Sequence, residues 1–561
     1  MSQAIAATGL LRDFDEAGVL GLADVHLART LGLLGGDTSP TVALAAALTL
    51  RAWRTGSTCL DIEHADTLGA DPDAEVTPDI SGLGWPAPGA WLAELRASPL
   101  IGDANSNRPL CLDGHHLYLR RTWQAQSAVV AAMAARWAAT PPARPIGPVG
   151  DPVVDAVLSR WTSVLTGGPG TGKTTAIAHV VECLSPVLPH IALAAPTGKA
   201  AARMAQTLGP GAPAPTTIHR LLGARGPGRG YRHDALNPLA ADLLIIDELS
   251  MVSLPLMATL LAALRPSCRL LLVGDPGQLA SIEAGAVLAD LVSAGVTGSA
   301  HDDAPLVHHL THIYRHEGSL AKLSAAVAAG DAVSALAIID QSDGSIILED
   351  ADAAGLDIGS LPGLATTIRD AASVVQQAAQ LGDCGTALNG LDAHRLLCAH
   401  RFGPYGVATW ARQVASITTP PRQRPTSWWP GRAVLATATT PDLGVLSGDQ
   451  GVAVSTPAGL RLAFEAEGGT FKTLPVNALP GLATLDSMTV HKSQGSEFAA
   501  VTVVIPPVTS PLSIRPLLYT AMTRARKRLH LVGTREQFSQ AVTTAPHRVS
   551  GLADALRAAL R

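Results

Sequence analysis

The sequence predicts an α/β fold, and three observations point to it. Three short apolar runs lack polar alternation, as buried parallel strands do, and segments of helical pattern separate them. These runs lie at 191–193, 243–246 and 270–273. A glycine-rich loop at 166–175, TGGPGTGKTT, lies between an apolar run at 163–165 and a predicted helix at 174–184. We therefore expect a parallel sheet with its ligand site at the carboxyl ends of the strands.

The loop at 166–175 matches the phosphate-binding pattern G-x-x-x-x-G-K-[ST]. Glycines let backbone N–H groups close around a polyphosphate, because no Cβ blocks the approach. Lys173 adds a positive charge for the β- and γ-phosphates, and the Thr174 hydroxyl is suited to ligate Mg²⁺. We therefore predict ATP and Mg²⁺ as cofactors. The predicted nucleotide-binding residues of the loop are Gly167, Gly168, Pro169, Gly170, Thr171, Gly172, Lys173, Thr174 and Thr175.

Two further strand ends carry candidate catalytic residues. Asp247 and Glu248 follow one apolar run, and Gln278 follows the next in the sequence GDPGQ. An Asp at a strand end is suited to hold Mg²⁺, its Glu neighbour to orient or deprotonate the attacking water, and a glutamine to sense the γ-phosphate. An isolated Asp-Glu pair would indicate only a solvated strand end, but the upstream loop favours catalysis. Thr174 and Asp247 are the predicted metal ligands.

Length and composition set further bounds. The chain has 561 residues, 47% of them hydrophobic and 16% charged, which indicates several globular domains. No apolar run reaches the length of a membrane span, and the first residues lack the basic start of a signal peptide. Its six cysteines form no C-x-x-C pair, which indicates reduced thiols and argues against a zinc site. We expect a cytoplasmic protein that does not bind membranes.

Charge is distributed unevenly along the chain. Residues 1–100 contain five Arg, no Lys and thirteen Asp or Glu, a net charge of −8. Residues 391–561 contain eighteen Lys or Arg and nine Asp or Glu, a net charge of +9. A polyanion would therefore bind the C-terminal part. Two ordinary solvated faces would give the same composition, so charge alone does not decide.

The N-terminal region predicts helices and no catalytic constellation. Residues 19–34 and 41–53 carry apolar residues at helical spacing, so we expect a helical domain over 1–105 that either docks a partner or caps the structure. Residues 109–121 predict a β-hairpin with Asp113-Gly114 at its turn, followed by a helix from 122 to about 138. Together with a proline-rich linker, they form a connecting segment over 106–150.

Several motifs together resemble the superfamily 1B DNA helicases, and specifically the RecD family, the alpha chains of exodeoxyribonuclease V. They follow one another in the family's order across roughly residues 105–535. The stretches that carry the resemblance are APTGKAAARM at 195–204, TTIHRLLG at 216–223, DELSMV at 247–252, the segment 273–288, YR at 314–315, TVHKSQGSEF at 489–498 and YTAMTRA at 519–525. The family's usual glutamine upstream of the phosphate loop is absent, since residues 151–160 contain none.

The resemblance implies two RecA-like motor domains with ATP between them. We expect the first at 151–345 and the second at 346–561, the second with a small β insertion at about 430–485. By the same resemblance, Arg315 and Arg524 reach the γ-phosphate as arginine fingers, and Gly495 contacts the nucleotide. The residues matched to DNA-contacting positions of the family are Thr197, Lys199, His219, Thr489 and His491.

The second motor domain is predicted from further patterns. Residues 394–399 and 501–505 predict buried strands, 489–498 predicts the start of a helix, and Gly448-Asp449 predicts a turn in the β insertion. Trp428 and Trp429 beside arginines are suited to stack single-stranded bases, although packing is the commoner role. The basic run at 526–528 is interpreted as a solvated helix end.

The function that the resemblance implies is ATP-dependent 5′-to-3′ DNA unwinding by the motor subunit of a RecBCD-type helicase–nuclease, in double-strand break repair and homologous recombination. Its expected partners are single-stranded and duplex-end DNA and the beta and gamma chains of a heterotrimer, with nuclease activity on a partner chain. Two alternatives stay open at this point. One is a stand-alone RecD-like helicase, and the other is an ATP-binding scaffold subunit whose motor is dispensable.

Overall fold

The computed structural model describes residues 4, 7–67, 71, 77–139, 141, 147, 149–209, 211–226, 228–294, 306–310, 318–420, 423, 427–466 and 470–560. The chain divides into two compact units. The first comprises residues 1–197, 201–312 and 546–561, and the second comprises 198–200 and 313–545. In the part of the chain that the structure describes, no helix is long and apolar enough to cross a membrane.

The first unit begins with helices that pack around a small sheet. The helices are α1 (Leu10–Glu16), α2 (Leu22–Gly35), α3 (Pro40–Arg54), α4 (Pro88–Ala97) and α5 (Arg120–Ala138). The strands are β1 (Leu60–Asp61), β2 (Ile101–Gly102), β3 (Leu110–Asp113) and β4 (His116–Leu119), in the order β1-β4-β3-β2. Apolar faces of α1 to α4 bury Phe14, Leu44, Leu48 and Trp91 in one core. The predicted helices and the hairpin are confirmed.

A six-stranded parallel sheet forms the rest of the first unit. Its strands are β5 (Thr162–Gly167), β6 (Ile191–Ala195), β7 (Thr216–Thr217), β8 (Leu243–Ile246), β9 (Arg269–Gly274) and β10 (Val307–Leu310), in the order β10-β5-β9-β8-β6-β7. The helices are α6 (Pro152–Ser159), α7 (Lys173–Leu184), α8 (Gly198–Leu208), α9 (Ile218–Leu221), α10 (Leu254–Ala262) and α11 (Val287–Ser293). The first three residues of α8 are grouped with the second unit. The three apolar runs predicted as strands are confirmed.

The second unit contains a five-stranded parallel sheet and a five-stranded antiparallel one. The helices are α12 (Ser319–Ala329), α13 (Ala332–Asp340), α14 (Pro362–Gln380), α15 (Cys384–Gly390), α16 (Val407–Thr418), α17 (Arg515–Met522) and α18 (Arg535–Thr543). The parallel sheet has the order β11-β20-β19-β12-β18, with β11 (Ile346–Glu349), β12 (His394–Cys398), β18 (Met488–Thr489), β19 (Phe498–Val504) and β20 (Ala525–Val532). The antiparallel sheet is the β insertion, in the order β16-β15-β14-β13-β17, with β13 (Ala433–Ala436), β14 (Gln450–Thr456), β15 (Gly459–Glu465), β16 (Phe471–Pro475) and β17 (Leu482–Thr484).

Several sequence expectations need correction. Residues 489–498 do not open an α-helix, because β18 is followed only by a 3-10 turn at Val490–Ser493 and then by β19. The turn between β14 and β15 lies at 457–458. The predicted turn at Gly448-Asp449 is present between β13 and β14, where Gly448 has a φ of 97° and the Asp449 N–H donates to the Leu446 carbonyl at 3.1 Å. The units also divide after residue 312 rather than 345. The last helix, α19 (Leu552–Ala559), belongs to the first unit, where Thr58 N–H donates to the Val549 carbonyl.

Candidate functional site

The phosphate-binding loop runs from the end of β5 into the start of α7. Gly170 and Gly172 have φ values of 76° and 87°, a left-handed conformation that side chains with a Cβ rarely adopt. Gly172 is the residue before the first turn of α7, so the unpaired N–H groups of that turn face the loop. Thr171 Oγ1 donates to the Gly168 carbonyl at 2.9 Å and closes the loop on itself. This arrangement is suited to hold a polyphosphate at the helix N-terminus.

The Lys173 side chain is hydrogen-bonded to its own phosphate-binding loop. Its Nζ donates to the carbonyl oxygens of Gly167 at 2.6 Å and of Gly168 at 2.8 Å. Both acceptors are neutral, so the full positive charge of the ammonium stays available to an anion. A phosphate that enters the loop would take over these hydrogen bonds.

The sheet order brings the predicted catalytic residues of the first unit to one edge. Strand β9 lies between β5 and β8, and Thr166 pairs with Gly274 while Ile246 pairs with Leu272. The phosphate loop, the segment with Gln278 and the Asp247-Glu248 pair therefore all leave the sheet at its carboxyl end. Parallel sheets place their ligand sites at this edge.

Asp247 and Glu248 form a tight acidic turn directly after β8. The Glu248 backbone N–H donates to Asp247 Oδ1 at 2.8 Å. Burial, followed by the charge of Glu248, raises the pKa of Asp247 above its usual range, while the positive charges of Lys173 and Arg203 act in the opposite direction. A carboxyl group with a raised pKa is a common feature of sites that bind a cation or transfer protons.

Gln278 is buried at the end of the segment after β9. Its Nε2 donates to Asp275 Oδ2 at 3.2 Å, and Asp275 Oδ1 accepts the Gly277 N–H at 3.0 Å. The aspartate thus fixes both the turn and the orientation of the glutamine amide. Gln278 was predicted from the sequence, but Asp275 was not. An aspartate directly after a buried strand and before a Pro-Gly turn is the pattern that could have indicated it.

The residues present fit a magnesium–nucleotide complex. Mg²⁺ prefers oxygen ligands and is held in such sites by one or two protein groups together with phosphate oxygens. Thr174 supplies a hydroxyl in the first turn of α7, and Asp247 supplies a carboxylate at the neighbouring strand end. These are the donor types that the ion requires, and they belong to elements that meet at one sheet edge.

Two of the predicted DNA-binding residues also follow adjacent strands of the first unit. Thr197 comes after β6 and His219 comes after β7, and these two strands pair through Ala195 and Thr217. His219 is exposed on α9, whose first turn is capped by the Thr217 hydroxyl. Lys199 lies in the first turn of α8. Thr197 and His219 thus follow the carboxyl ends of two adjacent strands at one edge of the sheet.

The remaining predicted residues belong to the second unit or lie outside the described part. Thr489 is the last residue of β18, and His491 and Gly495 follow in the 3-10 turn and its exit. The Arg524 side chain is buried and donates to the carbonyls of Thr520 at 3.0 Å and Ser496 at 3.2 Å. Arg315 lies outside the described residues.

Models of known families match three parts of the chain. An AAA domain matches residues 152–284, and a UvrD-like helicase C-terminal domain matches 484–532. The N-terminal domain of RecBCD enzyme subunit RecD matches residues 16–118. RecBCD enzyme subunit RecD of Mycobacterium tuberculosis strain H37Rv is 40% identical to this chain, over 98% of this chain and 97% of that protein. The chain belongs to the RecD family.

Two other RecD relatives define the match further. RecBCD enzyme subunit RecD of Mycolicibacterium smegmatis is 40% identical, over 98% of this chain and 99% of that protein. The ATP-dependent RecD2 DNA helicase of Deinococcus radiodurans is 32% identical, over 68% of this chain but only 48% of that protein. The chain therefore matches the RecD subunits of Mycobacterium tuberculosis and Mycolicibacterium smegmatis over nearly their whole length, and the RecD2 helicase over about half of its length.

Two features of this RecD chain add to what its sequence suggested. Arg203 on α8 acts electrostatically on Asp247, although the sequence gave it no role beyond its motif. Arg432 lies 5.0 Å from the Trp428 ring and 5.1 Å from the Trp429 ring, and Trp429 is buried. This pair packs on its own arginine, which supports the packing interpretation over base stacking.

Proposed function

We propose that this chain is the 5′-to-3′ motor subunit of a RecBCD-type helicase–nuclease. Its class is that of an ATP-dependent DNA helicase that acts in recombination and repair. The observation that carries the proposal is the convergence of the phosphate loop, Asp247, Glu248 and Gln278 at one sheet edge. The chain that carries them is 40% identical to a RecD subunit over 97% of that subunit's length. A scaffold with a dispensable motor would have no need of this intact set.

We assign each predicted site residue of the first unit a role from its motif and its position. Lys173 binds the β- and γ-phosphates, and Thr174 with Asp247 would hold Mg²⁺, which neutralises phosphate charge when bound. Glu248 orients and deprotonates the attacking water. Gln278, which is oriented by its hydrogen bond to Asp275, contacts the γ-phosphate, so the conformation of the segment after β9 depends on whether that phosphate is bound.

The second unit completes the proposed cycle. By the family motifs, Arg524 contributes positive charge to the γ-phosphate, and Arg315 contributes similarly. An arginine finger stabilises the charge that develops in phosphoryl transfer. Binding of ATP would draw the arginines in and hydrolysis would release them, so that DNA contacts at Thr197, Lys199 and His219 alternate with those at Thr489 and His491.

The N-terminal helices favour a subunit over a stand-alone helicase. Leu33 and Leu34 at the end of α2 are 80% and 82% exposed, an unusual position for adjacent large apolar side chains. Residues 1–100 carry a net charge of −8, which opposes contact with DNA and leaves a protein surface as the better partner. We propose that this region docks a beta or gamma chain of the complex.

Co-purification tests this assignment. The chain is co-expressed with candidate beta and gamma chains, and a stable ternary complex is expected. Leu33→Ser/Leu34→Ser should weaken co-purification at least tenfold, whereas Leu381→Ser, a leucine 85% exposed in the second unit, should not. Absence of any complex, together with full unwinding by the chain alone, would favour the stand-alone alternative.

A further inference from the structure

A cluster of two histidines and one aspartate lies in the N-terminal part of the first unit, away from the phosphate loop. Asp61, His115 and His116 each present one ligand atom, and these atoms all lie within 4.8 Å of one another. All three side chains are partly buried, and the Asp61 side chain is 16% exposed. The cysteine pattern argued against zinc in this chain, but that argument does not extend to a site built from imidazoles and a carboxylate.

Backbone pairing fixes the three residues relative to one another. Asp61 and His116 are direct partners across the antiparallel pair of β1 and β4, which places their Cβ atoms on one face at short range. The His115 carbonyl accepts the Ile62 N–H at 3.0 Å, so the turn residue is tied to the end of β1. The three side chains therefore converge because of the sheet, and not through a flexible surface arrangement.

The hairpin turn contributes further rigidity. Asp113 pairs with His116, so Gly114 and His115 form a two-residue connection between β3 and β4. Gly114 has a φ of 61°, as the first central residue of a type II′ turn requires. The His115 and His116 rings lie 4.2 Å apart between centroids. Adjacent histidines in a loose loop would not be held in this way.

Asp61 is itself oriented by neighbours that leave it free to bind. Its Oδ1 accepts the Glu63 N–H at 2.9 Å, and its Oδ2 lies 2.9 Å from His64 Nδ1. Each carboxylate oxygen has two lone pairs, so one on each stays available. A partner group that holds a ligating side chain in place is a regular feature of metal sites.

We propose that Asp61, His115 and His116 form a binding site for a divalent transition metal, with Zn²⁺ as the best fit. Two imidazole nitrogens and one carboxylate oxygen are a known zinc donor set, and water would complete a tetrahedron. Bound zinc requires donors about 3.4 Å apart. The donor atoms of these three residues already lie within 4.8 Å of one another. His64 is a positioning residue for the carboxylate.

A metal at this site would link β1, which follows α3, to the β3–β4 hairpin, which precedes α5. Helix α5 contributes Val129 and Met133 to the core of the six-stranded sheet. A metal here would therefore stabilise the junction between the N-terminal helices and the nucleotide-binding part of the first unit. This role is independent of ATP turnover, and it can be tested without measuring activity.

The test is titration of the full-length, chelator-treated chain with Co²⁺ and with Zn²⁺. We expect one equivalent of Co²⁺ to give the visible spectrum of a four-coordinate site, displaced by Zn²⁺, and Zn²⁺ to raise the melting temperature. Affinity should fall at least tenfold in Asp61→Asn and in His116→Gln, and modestly in His64→Gln. His26→Gln removes an exposed histidine of the same region and should change nothing.

A ligand-exchange variant keeps the test decisive if a substitution impairs folding. His116→Cys retains a metal ligand, so it should restore binding and add a sulfur-to-cobalt charge-transfer band. The proposal is overturned if the unchanged chain binds no equivalent of Co²⁺ or Zn²⁺. It is equally overturned if His115→Gln/His116→Gln binds as tightly as the unchanged chain.

Discussion

The Glu248 backbone N–H donates to the carboxylate of Asp247, its predecessor, at 2.8 Å. Among the described residues, Glu248 is also the one non-glycine residue with a positive φ, at 53°. A left-handed conformation costs a residue with a Cβ on the order of 1–2 kcal/mol. The backbone is therefore strained at Glu248, and the N–H of the same residue fixes the Asp247 carboxylate. Strain at a site with paired acids is consistent with a catalytic role.

Removing the acid of Glu248 tests its role as a general base. Glu248→Gln keeps the size of the side chain and the backbone hydrogen bond, so nucleotide affinity should change less than threefold. Turnover should fall by about 10²–10⁴, the usual contribution of general base catalysis. DNA-stimulated ATPase rates and nucleotide titrations measure the two quantities. Glu182→Gln, on the exposed side of α7, is the matched control, and equal loss in both variants would refute the assignment.

Lys173 should be needed for nucleotide binding as well as for turnover. Lys173→Gln removes the charge that the loop carbonyls hold near the phosphates, so affinity for ATP should fall at least tenfold and hydrolysis should be lost. Lys527→Gln removes an exposed lysine from the basic run at 526–528 and should be neutral. Fluorescent-nucleotide binding separates the variants. A Lys173→Gln chain that binds ATP normally would contradict the role of the loop.

Arg524 should act on hydrolysis and not on binding. Arg524→Lys retains one positive charge but loses the planar group that contacts the carbonyls of Thr520 and Ser496. We expect nucleotide affinity within threefold and a loss of turnover of about 10²–10³, below the full range for an arginine finger because charge is retained. Arg526→Lys, which is exposed, is the control. Normal turnover by Arg524→Lys would remove this arginine from the mechanism.

Asp290 should make stability depend on pH. Burial raises the pKa of Asp290 to about 6, with the Ser550 hydroxyl bonded at 2.8 Å acting against the rise and Asp554 adding to it. The folded state therefore favours the protonated acid, so its stability falls as pH rises from about 4 to 6 and stays lower above that. Asp290→Asn should gain up to about 3 kcal/mol near pH 7.5.

The stability gained by Asp290→Asn should decrease toward pH 5, because Asp290 in the unchanged chain is then largely protonated in the folded state. Melting temperatures of both chains at the two pH values measure the difference. Asp370→Asn, an exposed aspartate on α14, should show no such pH-dependent gain. Destabilisation by Asp290→Asn at both pH values would show that the carboxylate is needed in its charged form.

Local patterns predicted the fold where burial dominates. Strand β8 is fully buried over 243–246. A buried parallel strand of this kind is a continuous apolar run in the sequence, so it can be predicted directly. Parallel topology then placed the loop of Lys173 and the strand end of Asp247 at one edge. The helix predicted at 489–498 is wrong because Thr489 pairs with Cys398 of a distant strand. This strand pairing overrides a locally helical pattern.

Contacts between distant segments could not be predicted from the sequence. The bond from Thr58 to Val549 ties residues 546–561 to the first unit, and no local pattern marks it. The pairing of Asp61 with His116, which creates the proposed metal site, depends likewise on sheet register. The order of motifs identified the helicase family, because those motifs follow one another along the chain.

The most direct test of the motor assignment is strand displacement by the purified chain, alone and with beta and gamma chains. Duplexes carry either a 5′ or a 3′ single-stranded tail, and Lys173→Gln is the inactive control. We predict ATP-dependent unwinding of the 5′-tailed duplex only, lost in the control. Unwinding from the 3′ tail would contradict the proposed polarity, and no unwinding in any assembly would contradict the motor itself.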